Sequence, residues 1–426
     1  MADSLKVRLA RLRKLGMAKA SELGGGDGSG RPGDPGPPGP RATSTRGGAI
    51  VRRGRPSFLG AWESAGEMAW KRTLSLPDCL PESVDPNVFA PLRSLRRGAG
   101  RGEDTGGGIL AERVAAARLR FFDLETTGLS GGTGTIAFLA AVGRLVNGEF
   151  AITQVFLEDY PGEPNFLSAV LPLLEGGALV SYNGRSFDMP LLRTRCIMNG
   201  IAPPLPELHI DALFASRRLW RRVHGGASLG LLEREVLGSE RPEDLPGAMI
   251  PEAWLSFARE GDSPLMRLVL SHNADDVFGL ARLLAKAQAA FDHPRAHLAQ
   301  SDVDRAGLGR SLLAVGREGE GEALLEAAAG DGDEAAGLLL AMRFRKSGRA
   351  DDGARVATML PSTYRSAIER ARIFERLFGD LAEAARWVAE AQRLARSEAE
   401  SDTARARLER LDRIVSRRAR GGARPA

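Results

Sequence analysis

Apolar positions divide this chain into three regimes. Between about Glu112 and Phe291 they come in short runs of changing period. Ala117 to Leu124 is mostly apolar and predicts a buried strand, and Thr135 to Val146 predicts a second. Asn147-Gly148 is the strongest short hairpin signal in the sequence, so Phe150 to Leu157 is expected to return antiparallel. Phe166 to Leu174 reads as a helix, Ala178 to Tyr182 as a short buried strand, and Leu208 to Leu213 as one more. Asp188 to Met198 reads as a helix with Pro190 in its first turn. Helical periodicity also marks Ser228–Leu237, Pro251–Arg259 and Leu265–Ala289. A hairpin-led set of strands followed by alternating helix and strand predicts an α/β fold, a mixed sheet with flanking helices.

Beyond Ala299 the pattern becomes Ala-, Leu-, Arg- and Glu-rich helices separated by glycines. Gly316, Gly348 and Gly379 recur at intervals of 32 and 31 residues. Five positions after each stands a small residue (Gly321, Gly353, Ala384), and eight after an apolar one (Leu324, Val356, Trp387). That spacing predicts a tetratricopeptide-like all-α array, with Ala404–Arg418 as a capping helix. An ordinary helical bundle is the plainer reading.

The chain before Glu112 carries weaker signals. Residues 5–15 place Leu5, Leu9, Leu12 and Leu15 at helical spacing among basic residues. Gly24 to Arg55 holds almost no apolar residues and predicts disorder. Residues 57–95, with Trp62 and Trp70, read as an irregular arm, and Gly98 to Gly108 as a link. The expected domains are a basic extension (1–56), an arm and linker (57–111), the α/β domain (112–291) and the helical repeats (300–420).

Charge and cysteine usage narrow the function classes. Residues 1–60 hold twelve Lys/Arg against four Asp/Glu, more than the whole chain's net +5, so the rest is slightly acidic. Such an extension adds nonspecific attraction to a polyanion, or merely solubilises. Two distant cysteines, Cys79 and Cys196, argue against a disulfide framework or zinc site and suit a cytoplasmic protein. With no run of eighteen apolar residues, no membrane span is expected.

Four acids carry the chemistry. Asp123 and Glu125, in Phe122-Asp123-Leu124-Glu125-Thr126-Thr127-Gly128, are two apart on a predicted strand and emerge on one face. Asp188 follows the strand-end loop Tyr182-Asn183-Gly184-Arg185-Ser186-Phe187, where α/β ligands bind, although an acid there also serves a helix N-terminus. His272 and Asp276 share a helix face, while Asp275 points about 100° away. Convergent carboxylates hold hard divalent cations.

Together with His209-Ile210-Asp211, Ser228-Leu229 and Asn273-Ala274-Asp275-Asp276-Val277, these motifs resemble the YprB-type branch of ribonuclease-H-like exonucleases, within the Asp-Glu-Asp-Asp group. The resemblance covers residues 112–290. It implies a five-stranded mixed sheet with its second strand antiparallel, two Mg²⁺ or Mn²⁺ ions, and 3′–5′ hydrolysis of nucleic acid. Carried over, Asp123, Glu125, Asp188 and Asp276 are the metal ligands. His272 stands where this branch carries Tyr, and is the candidate general base.

Thr126, Thr127 and Asn183 are candidate substrate contacts. Arg217 and Arg221, flanking Trp220, are candidates for gripping single-stranded nucleic acid by charge and stacking; a solvated helix face with Trp220 in the core competes with that reading. The rival function is a scaffold, an inactive nuclease fold whose repeats bind a protein partner.

Overall fold

The computed structural model describes residues 56–90, 112–128, 134–241, 245–261 and 263–421, with side chains as far as 417. The basic extension as far as Arg55 and the Gly98–Gly108 link lie outside the described residues. The chain divides into two units. One comprises the described residues of Met1–Cys79, Ala117–His209 and Ser239–Ala281; the other comprises those of Leu80–Ala116, Ile210–Gly238 and Arg282–Ala426. Among the described residues no helix is long and apolar enough to cross a membrane.

In chain order the elements of the sheet region are β1 (Glu63–Gly66), β2 (Ala69–Pro77), β3 (Leu119–Thr126), β4 (Ala137–Val146), β5 (Glu149–Leu157), α1 (Glu163–Leu174), β6 (Ala178–Ser181), α2 (Asp188–Met198) and β7 (His209–Asp211). Next come α3 (Ala212–Leu219), α4 (Leu229–Leu237), α5 (Ile250–Glu260) and α6 (Pro264–Asp292). The strand order is β1-β2-β5-β4-β3-β6-β7. β3, β4 and β5 are antiparallel neighbours, and β3 pairs with β6 in parallel. The expected five strands are therefore joined by two more. The segment expected to be irregular supplies them: β1 and β2 form a hairpin, and β2 pairs antiparallel with β5 from Ala69↔Leu157 to Pro77↔Glu149.

Local sequence explains the core of this arrangement. Asn147 (φ 52°) and Gly148 (φ 83°) both lie in the left-handed region, as the tight β4–β5 turn requires. Central β4 is buried over its first seven residues, which is why it reads as a continuous apolar run. Trp254 of α5 stacks on Phe138 at 5.3 Å, and its indole N–H donates to the Leu157 carbonyl. Helix α6 seats on the sheet where β4 carries Gly143: a Cβ there would lie 2.7 Å from Val277 Cγ1 and 2.5 Å from the Phe150 ring. Only a bare backbone lets the helix come so near.

The helices after residue 300 are α7 (Arg305–Ala314), α8 (Glu318–Gly330), α9 (Glu334–Ser347), α10 (Ala350–Met359), α11 (Tyr364–Ile373), α12 (Leu381–Leu394) and α13 (Glu398–Gly421). Gly316 (φ 81°) and Gly348 (φ 73°) each close the first helix of a pair in the left-handed conformation, and Gly379 (φ 66°) closes the π-helical turn Phe374–Phe378 that continues α11. Asp304, Asp333 and Asp380 cap α7, α9 and α12 by accepting backbone N–H bonds. The small residues Gly321, Gly353 and Ala384 are buried on the second helix of each pair.

Candidate active site

The cleft that gathers the acids lies wholly in the first unit. It measures about 270 Å³, and Asp123, Glu125, Asp188, His272 and Asp276 all line it, with Thr126, Phe187 and Ile250 at its walls. β3 delivers two of these acids. Its alternation buries Phe122 and Leu124 on one side and leaves Asp123 and Glu125 on the other.

Asp188 is the first residue of α2, one position past the N-cap, Phe187. The preceding loop is tight. Asn183 adopts φ 66°, a left-handed conformation that asparagine tolerates, and a Cβ on Gly184 would fall 2.9 Å from an Asp188 carboxylate oxygen and 2.5 Å from Ser181 Oγ. Glycine at 184 lets the carboxylate approach the end of β6.

On α6, His272 and Asp276 face the cleft, as the four-residue spacing predicts. Asp275 is exposed, and its carboxylate accepts from the Ser271 hydroxyl. The imidazole sits between two acids: Nε2 is 3.5 Å from Asp276 Oδ2 and 3.9 Å from Glu125 Oε1.

Asp123 registers the convergence electrostatically. Burial holds its carboxyl well above the usual carboxylate range, and the charges of Asp276, Glu125 and Asp188 push it further the same way. A bond from Asn273 Nδ2 to Asp123 Oδ2, 2.8 Å, opposes them. Asn273 is itself held, because Gln154 Nε2 on β5 donates to Asn273 Oδ1 (3.0 Å) and to the Leu270 carbonyl (2.8 Å). Both amides are fully buried. Arg72 Nε of β2 donates to Gln154 Oε1 at 2.8 Å, which extends this chain of hydrogen bonds to the added hairpin.

Three features here escape motif reading. Arg241 Nη1 forms a 2.6 Å ion pair with Asp276 Oδ1, and both side chains are largely buried. Phe187 is 56% exposed at the cleft wall. The Gln154–Asn273 pair joins positions 119 residues apart and leaves no local signal.

Other expected contacts fall elsewhere. Thr126 lines the cleft and donates to the Gly128 carbonyl, but Thr127 Oγ1 accepts from Ile136 N–H and does not line it. Asn183 shapes the loop rather than the cleft wall. Arg217 and Arg221 are exposed and belong to the second unit. Trp220 between them is 1% exposed, so it is a core residue and presents no stacking face. The helix also ends at Trp220, which breaks the expected row of arginines.

An all-oxygen donor set of this kind suits hard cations such as Mg²⁺, Mn²⁺ or Ca²⁺. Among the described residues, however, no three Asp, Glu, His or Cys side chains stand close enough together to form a ready-made metal cage. The donors fit by chemistry, while Asp276 is turned to Arg241.

Residues 120–288 match the model of the RNase_H_2 family, of the ribonuclease H superfamily. The chain is also similar to the uncharacterized protein YprB of Bacillus subtilis (strain 168), to which it is 31% identical over 279 residues. That match takes in 60% of this chain and 65% of YprB, just under two thirds of the relative's own length. A solved family B DNA polymerase from Pyrobaculum calidifontis is also similar, at 19% identity and a TM-score of 0.31, over 62% of this chain and 34% of the polymerase.

Proposed function

We propose that this chain is a metal-dependent nuclease that removes nucleotides from the 3′ end of single-stranded nucleic acid. The observation that carries the reading is the convergence of Asp123, Glu125, Asp188 and Asp276 on one cleft, where burial raises the pKa of Asp123 and the other three acids raise it further. These carboxylates would hold two Mg²⁺ or Mn²⁺ ions. Such ions, when bound, neutralise phosphate charge and make water acidic enough to attack. His272 is poised to hold a proton at Nε2, between Glu125 and Asp276. Phe187 offers an exposed ring on which a terminal base can stack. Asn273 and Gln154 aim Asp123. The glycine-closed helix pairs fit a tetratricopeptide-like surface for a protein partner.

The Asp276–Arg241 pair favours a second reading, a nucleic-acid-binding or scaffold protein whose acids no longer bind metal. Pure full-length protein with Mn²⁺ and end-labelled single- and double-stranded DNA and RNA separates the two. A ladder shrinking from the 3′ end of single strands, abolished in Asp123→Asn, is the expected outcome. No cleavage of any substrate, or full cleavage by Asp123→Asn, would sink the nuclease reading.

A further inference from the structure

We infer that Arg241 is the resident counter-ion of the acidic cleft and competes with divalent cations for Asp276. The inference rests on the metal-binding reading above and deepens it. Arg241 lies just before the buried Leu245, in the segment that leads to the cleft-lining Gly247 and Ile250. None of the cleft-lining residues is Lys or Arg. The ion pair is short, 2.6 Å, with side-chain exposures of 15% and 20%, so water screens it little. It engages Oδ1 of Asp276, whose Oδ2 is the atom 3.5 Å from His272 Nε2. Both oxygens of one candidate ligand thus face nitrogen groups of the protein.

This pairing eases the crowding of like charge in the cleft. Four neighbouring carboxylates would repel strongly if none were neutralised, and a fixed guanidinium beside one of them lowers that repulsion. A divalent ion entering the cleft must therefore take Asp276 from Arg241 or bind against a nearby positive charge. Either route weakens its binding. Partners of metal ligands commonly strengthen binding by orienting them, typically by about 10- to 100-fold. A full positive charge next to the ligand opposes a cation more than its orienting effect helps, so the net sign here is competition. Arg241 is a positioning residue acting through Asp276, and it sets the cation concentration at which the cleft fills.

The test is calorimetric titration of the full chain with MnCl₂, without nucleic acid. Arg241→Gln should bind Mn²⁺ about ten-fold more tightly than wild type, the effect of about 1.4 kcal/mol of removed competition. Arg241→Lys, which keeps the charge, should stay close to wild type. Equal or weaker Mn²⁺ binding by a cooperatively folded Arg241→Gln protein would overturn the inference and leave the nuclease reading intact. If wild type and both variants fail to bind the ion, the metal site itself falls and takes this inference with it. Should Arg241→Gln not fold, a structure of the wild type with Mn²⁺ decides. Separation of Arg241 from Asp276 beyond about 4 Å supports competition, and an unbroken pair with Asp276 ligating the ion refutes it.

Discussion

At the scale of single residues, the cleft gathers like charges at a cost in stability. Asp123 is half-buried beside three other carboxylates, and its raised pKa means that ionising it costs free energy in the folded protein. Asp123→Asn keeps the shape and an acceptor for Asn273. In EDTA at pH 7 it should melt higher than wild type, by the equivalent of roughly 1 kcal/mol, while losing both Mn²⁺-induced stabilisation and cleavage. A lower melting temperature in EDTA would show that Asp123 is a structural acid. His209 makes a second prediction. Burial, helped by Arg185 and Arg193, pushes its imidazole down to about 4, and Ser181 Oγ lies 2.7 Å from its Nε2. The unfolded chain takes up this proton near pH 6.5, so the neutral folded form is favoured above that value and loses ground as pH falls toward 4. The loss attributable to His209 is at most about 3 kcal/mol. Denaturant titrations at pH 7 and 4.5 should show a smaller acid-induced loss in His209→Gln than in wild type. The four acids were legible in sequence because each sits in a short motif whose spacing fixes its face. Arg241, Gln154 and the pairing role of Asn273 were not, because their partners are distant in the chain.

Elements matter here through how closely they approach. Helix α6 aims His272 and Asp276, and its seat is the bare backbone of Gly143 on β4. Gly143→Ala forces the Phe150 ring or Val277 to give way, which should cost about 1–3 kcal/mol and shift both cleft residues of α6. Cleavage should fall by more than the melting temperature implies, whereas preserved turnover per folded molecule would mean that α6 tolerates displacement. The β4–β5 hairpin and the long helices were readable because Asn147-Gly148 and the 3.6-residue period are local signals. Strand β2 was missed although it alternates: Trp70, Arg72, Leu74 and Leu76 share the inner face. Arg72 interrupts the apolar stripe, and its guanidinium lies over Trp62 at 4.9 Å, so a charged residue performs an inward-facing role.

For the whole molecule, the two units make separable demands. The second is built on close helix contacts. A Cβ on Gly309 would lie 2.8 Å from the Gly321 carbonyl, and the reverse holds for a Cβ on Gly321. Gly309→Ala should therefore loosen α7 against α8 by about 1–3 kcal/mol. Hydrogen exchange should quicken across residues 305–330, with Mn²⁺ binding by the cleft unchanged; unaltered exchange there would mean the pair relaxes freely. The glycine period foretold these helix pairs because each left-handed turn needs a residue without a side chain. Nothing in the sequence foretold how the units interleave along the chain, since segments far apart in number combine in each.

The added hairpin has a practical consequence for anyone trimming this protein to its recognisable part. A fragment begun at residue 120 would keep every acid, yet it would strip β2 from the edge of β5 and with it the arginine that fixes Gln154. The amide relay behind Asp123 would then start at a strand open to water. Such a shortened version should be judged by where its first carboxylate points, and poor turnover from it would say little about the intact chain.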